Sequence, residues 1–152
     1  MTKLKTILWA YVSELVLSTL LFTLLLICFE VSEIVRVFKS MSSDIATYFS
    51  SIMLAASFAF IWAFYSKSDT PFFKWLYKKR AFHVYLSAYV VALVVYLSLL
   101  ILLIVTSKVD YIPLSLLSVW MFIYGVINVY TFMSNVLGQL KLNMEYNRIN
   151  DE

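Results

Sequence analysis

The chain has two glycines, two prolines, one cysteine and one histidine in 152 residues, and only 14% of it is charged. Each shortage closes off a class. With one cysteine, Cys28, no disulfide can form within the chain. A bond across a dimer is the remaining use of that thiol, beside the simpler reading of a small apolar residue near a helix end. One cysteine and one histidine, His83, cannot assemble a metal site, so no metal and no cofactor is expected. Gly125 and Gly138 cannot make a glycine-rich phosphate loop. There is no acid pair within an apolar run and no nucleophile beside a base, so enzymatic chemistry is not expected and no catalytic residue is assigned. Soluble domains carry about 25% charged residues. A small domain also leaves much of its surface in water, which 62% hydrophobic residues would not tolerate.

What is present is a set of long apolar runs. They cover residues 7–29, 45–65, 81–106 and 112–140. Each is long enough to cross roughly 30 Å of hydrocarbon at about 1.5 Å per residue. The expected fold is an all-α membrane protein, one domain of four transmembrane helices. The first run is too long for a signal peptide and has no small-residue cleavage pattern after it, so it is read as a retained helix. Ser42 to Asp44, "SSD", are expected to cap the second helix. Pro113 suits the first turn of the fourth. The segment "EVSEIVRVFKSM", from Glu30 to Met41, keeps a helical spacing. It reads as an extension of helix one beyond the bilayer, with Ile34, Val35, Phe38 and Met41 on its outer surface.

Orientation follows from the cations. Lys3, Lys5, Lys67, Lys74, Lys78, Lys79, Arg80, Lys141 and Arg148 fall on one side of a four-span topology; Arg36, Lys39 and Lys108 fall on the other. The richer side is expected to be cytoplasmic, with both termini inside a bacterial cytoplasmic membrane. The middle segment, residues 66–80, contains "PFFKWLYKKR". Its rings suit the headgroup level, and a cation near an anionic leaflet contributes about 1 kcal/mol. Asp69 or Thr70 should cap a short helix begun by Pro71, with Lys74 and Lys78 on one face. Phe72, Phe73, Lys74, Trp75, Tyr77, Lys78, Lys79 and Arg80 are therefore expected at the membrane interface. Membrane lipids are partners, and nucleic acid is not, because no folded basic surface presents these residues.

Glu14 is the one acid inside an apolar run. A charge at the bilayer centre costs about 3 kcal/mol on insertion scales, so Glu14 should face other helices and find a partner. Tyr11 and Ser18 share its face. Asn135, Gln139, His83 and Tyr89 are the expected partners at its depth. The residue reads either as a proton- or cation-coupling carboxylate or as a hydrogen-bonded packing residue. On the fourth helix Gly125, Asn128, Asn135 and Gly138 lie near one face, with Thr131 and Gln139 close by. Small residues and amides at that spacing make a packing seam, inside the bundle or between copies. Tyr85, Tyr89, Ala92 and Tyr96 form a packing stripe on the third.

Around Glu14, "SELVLSTLL" resembles the first helix of small multidrug exporters, which implies exchange of protons for cationic drugs at that carboxylate. From Ala46 onward, "ATYFSSIMLAASFAFIWAFYSKSD" and "SKVDYIPLSL" resemble the small membrane protein of the lambda-type phage exclusion pair. That resemblance implies a small ion channel or a modulator in phage defence. Size and topology are also similar to membrane immunity proteins against pore-forming bacteriocins. The preferred expectation is a small polytopic protein acting by helix–helix or partner recognition, in exclusion or immunity or as an accessory subunit, with another membrane protein or a second copy as partner. The alternative is a proton-coupled transporter or channel using Glu14.

Overall fold

The computed structural model describes the backbone of residues 2–150 and the side chains of residues 11–149. The side chains of Lys3 and Lys5, two of the cations used for orientation, lie outside the described residues. Regular structure within that range is entirely helical: α1 (Thr2–Cys28), α2 (Val31–Asp44), a π-helical stretch (Ile45–Ser50), α3 (Ser51–Ser66), α4 (Pro71–Lys78), α5 (Phe82–Lys108) and α6 (Ile112–Asn150). Four helical rods are long and apolar enough to cross a membrane: Tyr11–Cys28, Val31–Ser66, Phe82–Lys108 and Ile112–Ile149.

The second rod corrects the expectation for Glu30 to Met41. That segment does not prolong helix one. The chain breaks after Cys28, Glu30 takes an extended backbone (φ −68°, ψ 137°), and a new helix starts at Val31. The backbone N–H groups of Glu33 and Ile34 bond back to the Glu30 carbonyl, at 3.0 and 3.1 Å. No glycine or proline marks this turn. The new helix then runs unbroken through α2, the π stretch and α3 for 36 residues, about 54 Å. Ile34 and Phe38, expected outside, are buried, whereas Met41 is exposed.

The "SSD" triplet is likewise mid-helix rather than a cap. Ser42 is fully buried and its hydroxyl donates to the Lys39 carbonyl at 2.8 Å. Just beyond it the helix takes in an extra residue. Ser51 Oγ reaches the Ala46 carbonyl five residues back, at 2.9 Å. A π stretch resets the angular position of the residues that follow. Ser42, Ala46, Ser50 and Ser57 form a stripe of small residues buried along this part of the rod.

Other hydroxyls behave as Ser42 does. Thr19 donates to Leu15, Thr23 to Thr19, Ser57 to Met53 and Ser107 to Ile104, each to a carbonyl of its own helix at 2.7–2.9 Å. Each hydroxyl is thereby satisfied within its own helix.

α5 and α6 pack together at the centre; α3 lies on α5, α1 on α6, and α2 reaches both central helices. The core has two layers. One joins Phe64, Phe73, Leu76, Tyr89, Ala92, Tyr96 and Phe132. The other joins Ile34, Phe38, Ala46, Leu99, Leu103 and Val119. Close packing of these side chains contributes many small dispersion contacts in both layers. Phe64 illustrates this, with Phe73, Phe82 and Tyr89 ring centroids at 5.0–5.4 Å. Such aromatic pairs contribute about 0.5–1.5 kcal/mol each beyond area burial. Gly125 lets Leu99, Phe49 and Tyr96 close on α6; an added Cβ would lie 3.1 Å from Leu99 Cδ2. The seam on the fourth helix is thus internal to the bundle at this level.

Short connections finish the fold. Thr70 occupies the N-cap of α4 with Pro71 at the first position, but its hydroxyl donates to the Lys67 carbonyl rather than to the helix. The helix closes with Ala81 N–H bonding to the Leu76 carbonyl and Arg80 N–H to that of Tyr77, a Schellman pair. The left-handed position this motif needs falls on Arg80 (φ 57°) rather than on a glycine. At the opposite end of the bundle Lys39 of α2 pairs with Asp110 beside the start of α6.

Candidate functional site

α1 and α6 are stitched by two polar contacts. Asn128 Nδ2 donates to Glu14 Oε2 at 3.1 Å. About two turns nearer the start of α6 than Asn128, Trp120 Nε1 donates to Thr19 Oγ1 at 3.3 Å. Residue number rises along α1 as it falls along α6, so the helices run antiparallel. This register places Glu14 well inside the bundle. α1 begins at Thr2, so Glu14 sits about 18 Å along it.

That depth decides the partner. Asn128 holds Glu14; Asn135, Gln139, His83 and Tyr89 do not. Asn135 is half-buried, about two turns nearer the C-terminal end of α6. Gln139 accepts the Tyr89 hydroxyl at 3.1 Å in a separate contact. His83 is exposed, with its ring beside Tyr77 (5.4 Å) and Phe82 (5.6 Å). Of the polar residues singled out from the sequence, the structure joins Glu14 to Asn128 and, separately, Tyr89 to Gln139.

Glu14 is 5% exposed and Asn128 2%. Ser18, one turn from Glu14, is fully buried and donates to the Leu15 carbonyl at 2.9 Å. The phenols of Tyr11, Tyr96 and Tyr124 are near enough to interact electrostatically with the carboxyl. Tyr96 is itself anchored, donating to the Gly125 carbonyl at 3.3 Å. Tyr124 is the member that sequence reasoning missed. Its signal was present: it lies four residues before Asn128, on the same face of α6. Two oxygens of the cluster, Glu14 Oε1 and Asn128 Oδ1, are buried with no hydrogen-bond partner.

The aromatic, basic segment forms the other feature. α4 turns Phe73 and Leu76 into the core, so Phe73 packs inside the bundle. Phe72 and Trp75 stack at 6.1 Å, and Tyr146 of α6 packs on both, at 5.8 and 5.6 Å. Lys79 Nζ lies 5.8 Å from the Trp75 ring centre. Lys74, Tyr77, Lys78 and Arg80 are exposed. The C-terminal part of α6, read as a tail beyond residue 140, is therefore helix that braces α4.

No protein family, curated protein or solved structure gives a significant match to the chain.

Proposed function

We propose that this is a small multi-pass protein of a bacterial cytoplasmic membrane, with both termini inside, that works by recognising another membrane-embedded helix. Exclusion, immunity or service as an accessory subunit are the roles that fit. The observation that carries this reading is an open cleft of about 570 Å³ between the end of α1, α2 and α6. Leu25, Phe29, Val37, Met41 and Ile123 line it, with Glu33 and Arg36 among its walls. A bundle that needed nothing further would close this flank. Side chains of an apolar helix would enter the cleft, and the acid and the base in its walls would give it a means of discrimination. The resemblance to phage exclusion proteins adds to the reading.

Photo-crosslinking residues at Val37 and Met41 test it, with Tyr130 and Leu137 on α6 as lipid-facing controls. The expected result is one discrete protein adduct from the cleft positions, a second copy included, and only lipid adducts from the controls. Bulky substitutions in the cleft should then remove any protection against phage or pore-forming bacteriocin. Identical adducts from both faces would refute the reading. A second reading, a proton-coupled transporter or channel, draws on the unpaired oxygens of the Glu14–Asn128 pair. Vesicle flux that is present in the native protein and absent in Glu14→Gln would favour it.

A further inference from the structure

We propose that Glu14 and Asn128 form an intramembrane site for one small monovalent cation, a proton or an alkali-metal ion, taken up on Glu14 Oε1 and Asn128 Oδ1. The inference goes beyond partner recognition. It concerns what occupies the α1–α6 interface, and holds whether the protein binds a helix or moves an ion.

The argument is an account of donors and acceptors. The described contact uses one amide hydrogen of Asn128 and one oxygen of Glu14. What remains is two buried acceptors without a donor. Buried polar atoms are almost always satisfied, and a buried carboxylate needs a counter-charge or a ligand. Turning the Asn128 amide over does not remove the difficulty. Oδ1 would then face Glu14 Oε2, and two acceptors attract only with a positive charge between them. In one orientation two oxygens lack a donor, and in the other a proton or cation must lie between two acceptors; a bound proton or alkali ion meets both.

Among the described residues no cationic side chain pairs with Glu14. Glu14 is faced by Tyr11 of its own helix, Tyr96 of α5 and Tyr124 of α6, none of them a fixed cation. The one ion pair among the described residues, Lys39–Asp110, does not involve Glu14. Ser18 adds an oxygen on the same face of α1. Its hydrogen is committed to the Leu15 carbonyl, so its lone pairs remain. A carboxylate oxygen, an amide oxygen and hydroxyl oxygens are hard ligands, suited to a proton or an alkali ion rather than a soft metal.

Infrared spectroscopy of the intact protein in phosphatidylethanolamine–phosphatidylglycerol vesicles tests this, with ¹³C-glutamate labelling to assign carboxyl bands. A proton appears as a protonated-carboxyl band at neutral pH. That band moves with the label, vanishes in Glu14→Gln, and is indifferent to replacing sodium by choline. An alkali ion appears as a carboxylate band that shifts on that replacement and is lost in Glu14→Gln. Either result upholds the site and identifies its occupant. A carboxylate signal for Glu14 that ignores the replacement and matches the exposed glutamates would overturn it. Should Glu14→Gln fail to assemble, Asn128→Ala serves instead. The Glu14 band must then shift, because its partner is gone, and an unmoved band overturns the proposal.

Discussion

The Glu14–Asn128 contact invites a double-mutant cycle: Glu14→Leu, Asn128→Leu, and both together. Asn128→Leu removes the only described donor to Glu14 and leaves both carboxyl oxygens unpaired in a residue 5% exposed. Truncating one side of a buried charged pair costs about 3–5 kcal/mol in soluble proteins. Interhelical hydrogen bonds in membranes average about 0.6 and reach about 1.7 kcal/mol. A carboxyl that keeps a bound cation belongs nearer the second range, so we expect a loss of about 2 kcal/mol. Glu14→Leu strands a neutral amide, which costs about 1–3 kcal/mol, and leucine returns roughly 0.5 through its preference for lipid. We expect a net loss of about 1 kcal/mol. The double variant has no polar group left to strand, and both exchanges are close in volume, so it should lie near the native value. The coupling is then about 2–3 kcal/mol. Unfolding in micelles by titration with a denaturing detergent reads all four corners. Additivity within about 0.5 kcal/mol would refute the argument, because it would mean the two side chains do not depend on each other.

The two glycines should respond differently to alanine. At Gly125 the new Cβ meets Leu99 at 3.1 Å inside the core, so overpacking of about 1–3 kcal/mol outweighs the helix-propensity gain of about 1. At Gly138 it meets the Tyr85 hydroxyl at 3.0 Å, the far end of a side chain that can swing, so thermal unfolding should show little change. Arg80→Gly should stabilise by about 0.5–1 kcal/mol, because it relieves a left-handed non-glycine residue at the end of α4; a lower melting temperature would count against that account. Cysteine labelling on a Cys28→Ser background should find Ser66, Arg80 and both termini on the cytoplasmic side and Glu30 and Asp110 on the other. Protection of Arg80 together with labelling of Glu30 from inside would reverse the orientation.

The four apolar rods were readable because length and hydropathy alone specify a span in lipid. Pro113 and Pro71 likewise stood where their rings are tolerated, within the first turns of α6 and α4. The break after Cys28 was not readable. Turns announce themselves through glycine and proline, and here the break is made by Phe29 and Glu30. The inward stripe of the second rod was hidden for a different reason. Much of it consists of serine and alanine, Ser42, Ala46, Ser50 and Ser57, whose weak hydropathy does not mark an inward face. The repeated small residues of that stripe were nevertheless a usable sign. Glu14 was identifiable as a buried acid, but not its partner. The choice among amides depends on where α1 begins and on its register against α6, which only tertiary packing sets.

The hydroxyls that donate to their own helix have a consequence for how this bundle can vary. A serine or threonine spent on its own carbonyl offers little to a neighbour, and exchanging it for alanine or valine removes a contact that no other helix shares. Such positions are free to drift, and a chain could lose most of its hydroxyls while keeping its fold. The side chains that cannot drift singly are those too long, or wrongly shaped, to be satisfied at home: the carboxyl of Glu14, the amides of Asn128 and Gln139, the indole of Trp120. Any one of them changes only if its counterpart on the facing helix changes too. Paired substitution at Glu14 and Asn128, amid free exchange at Thr23, Ser57 and Ser107, is the mark that distant versions of this bundle should carry.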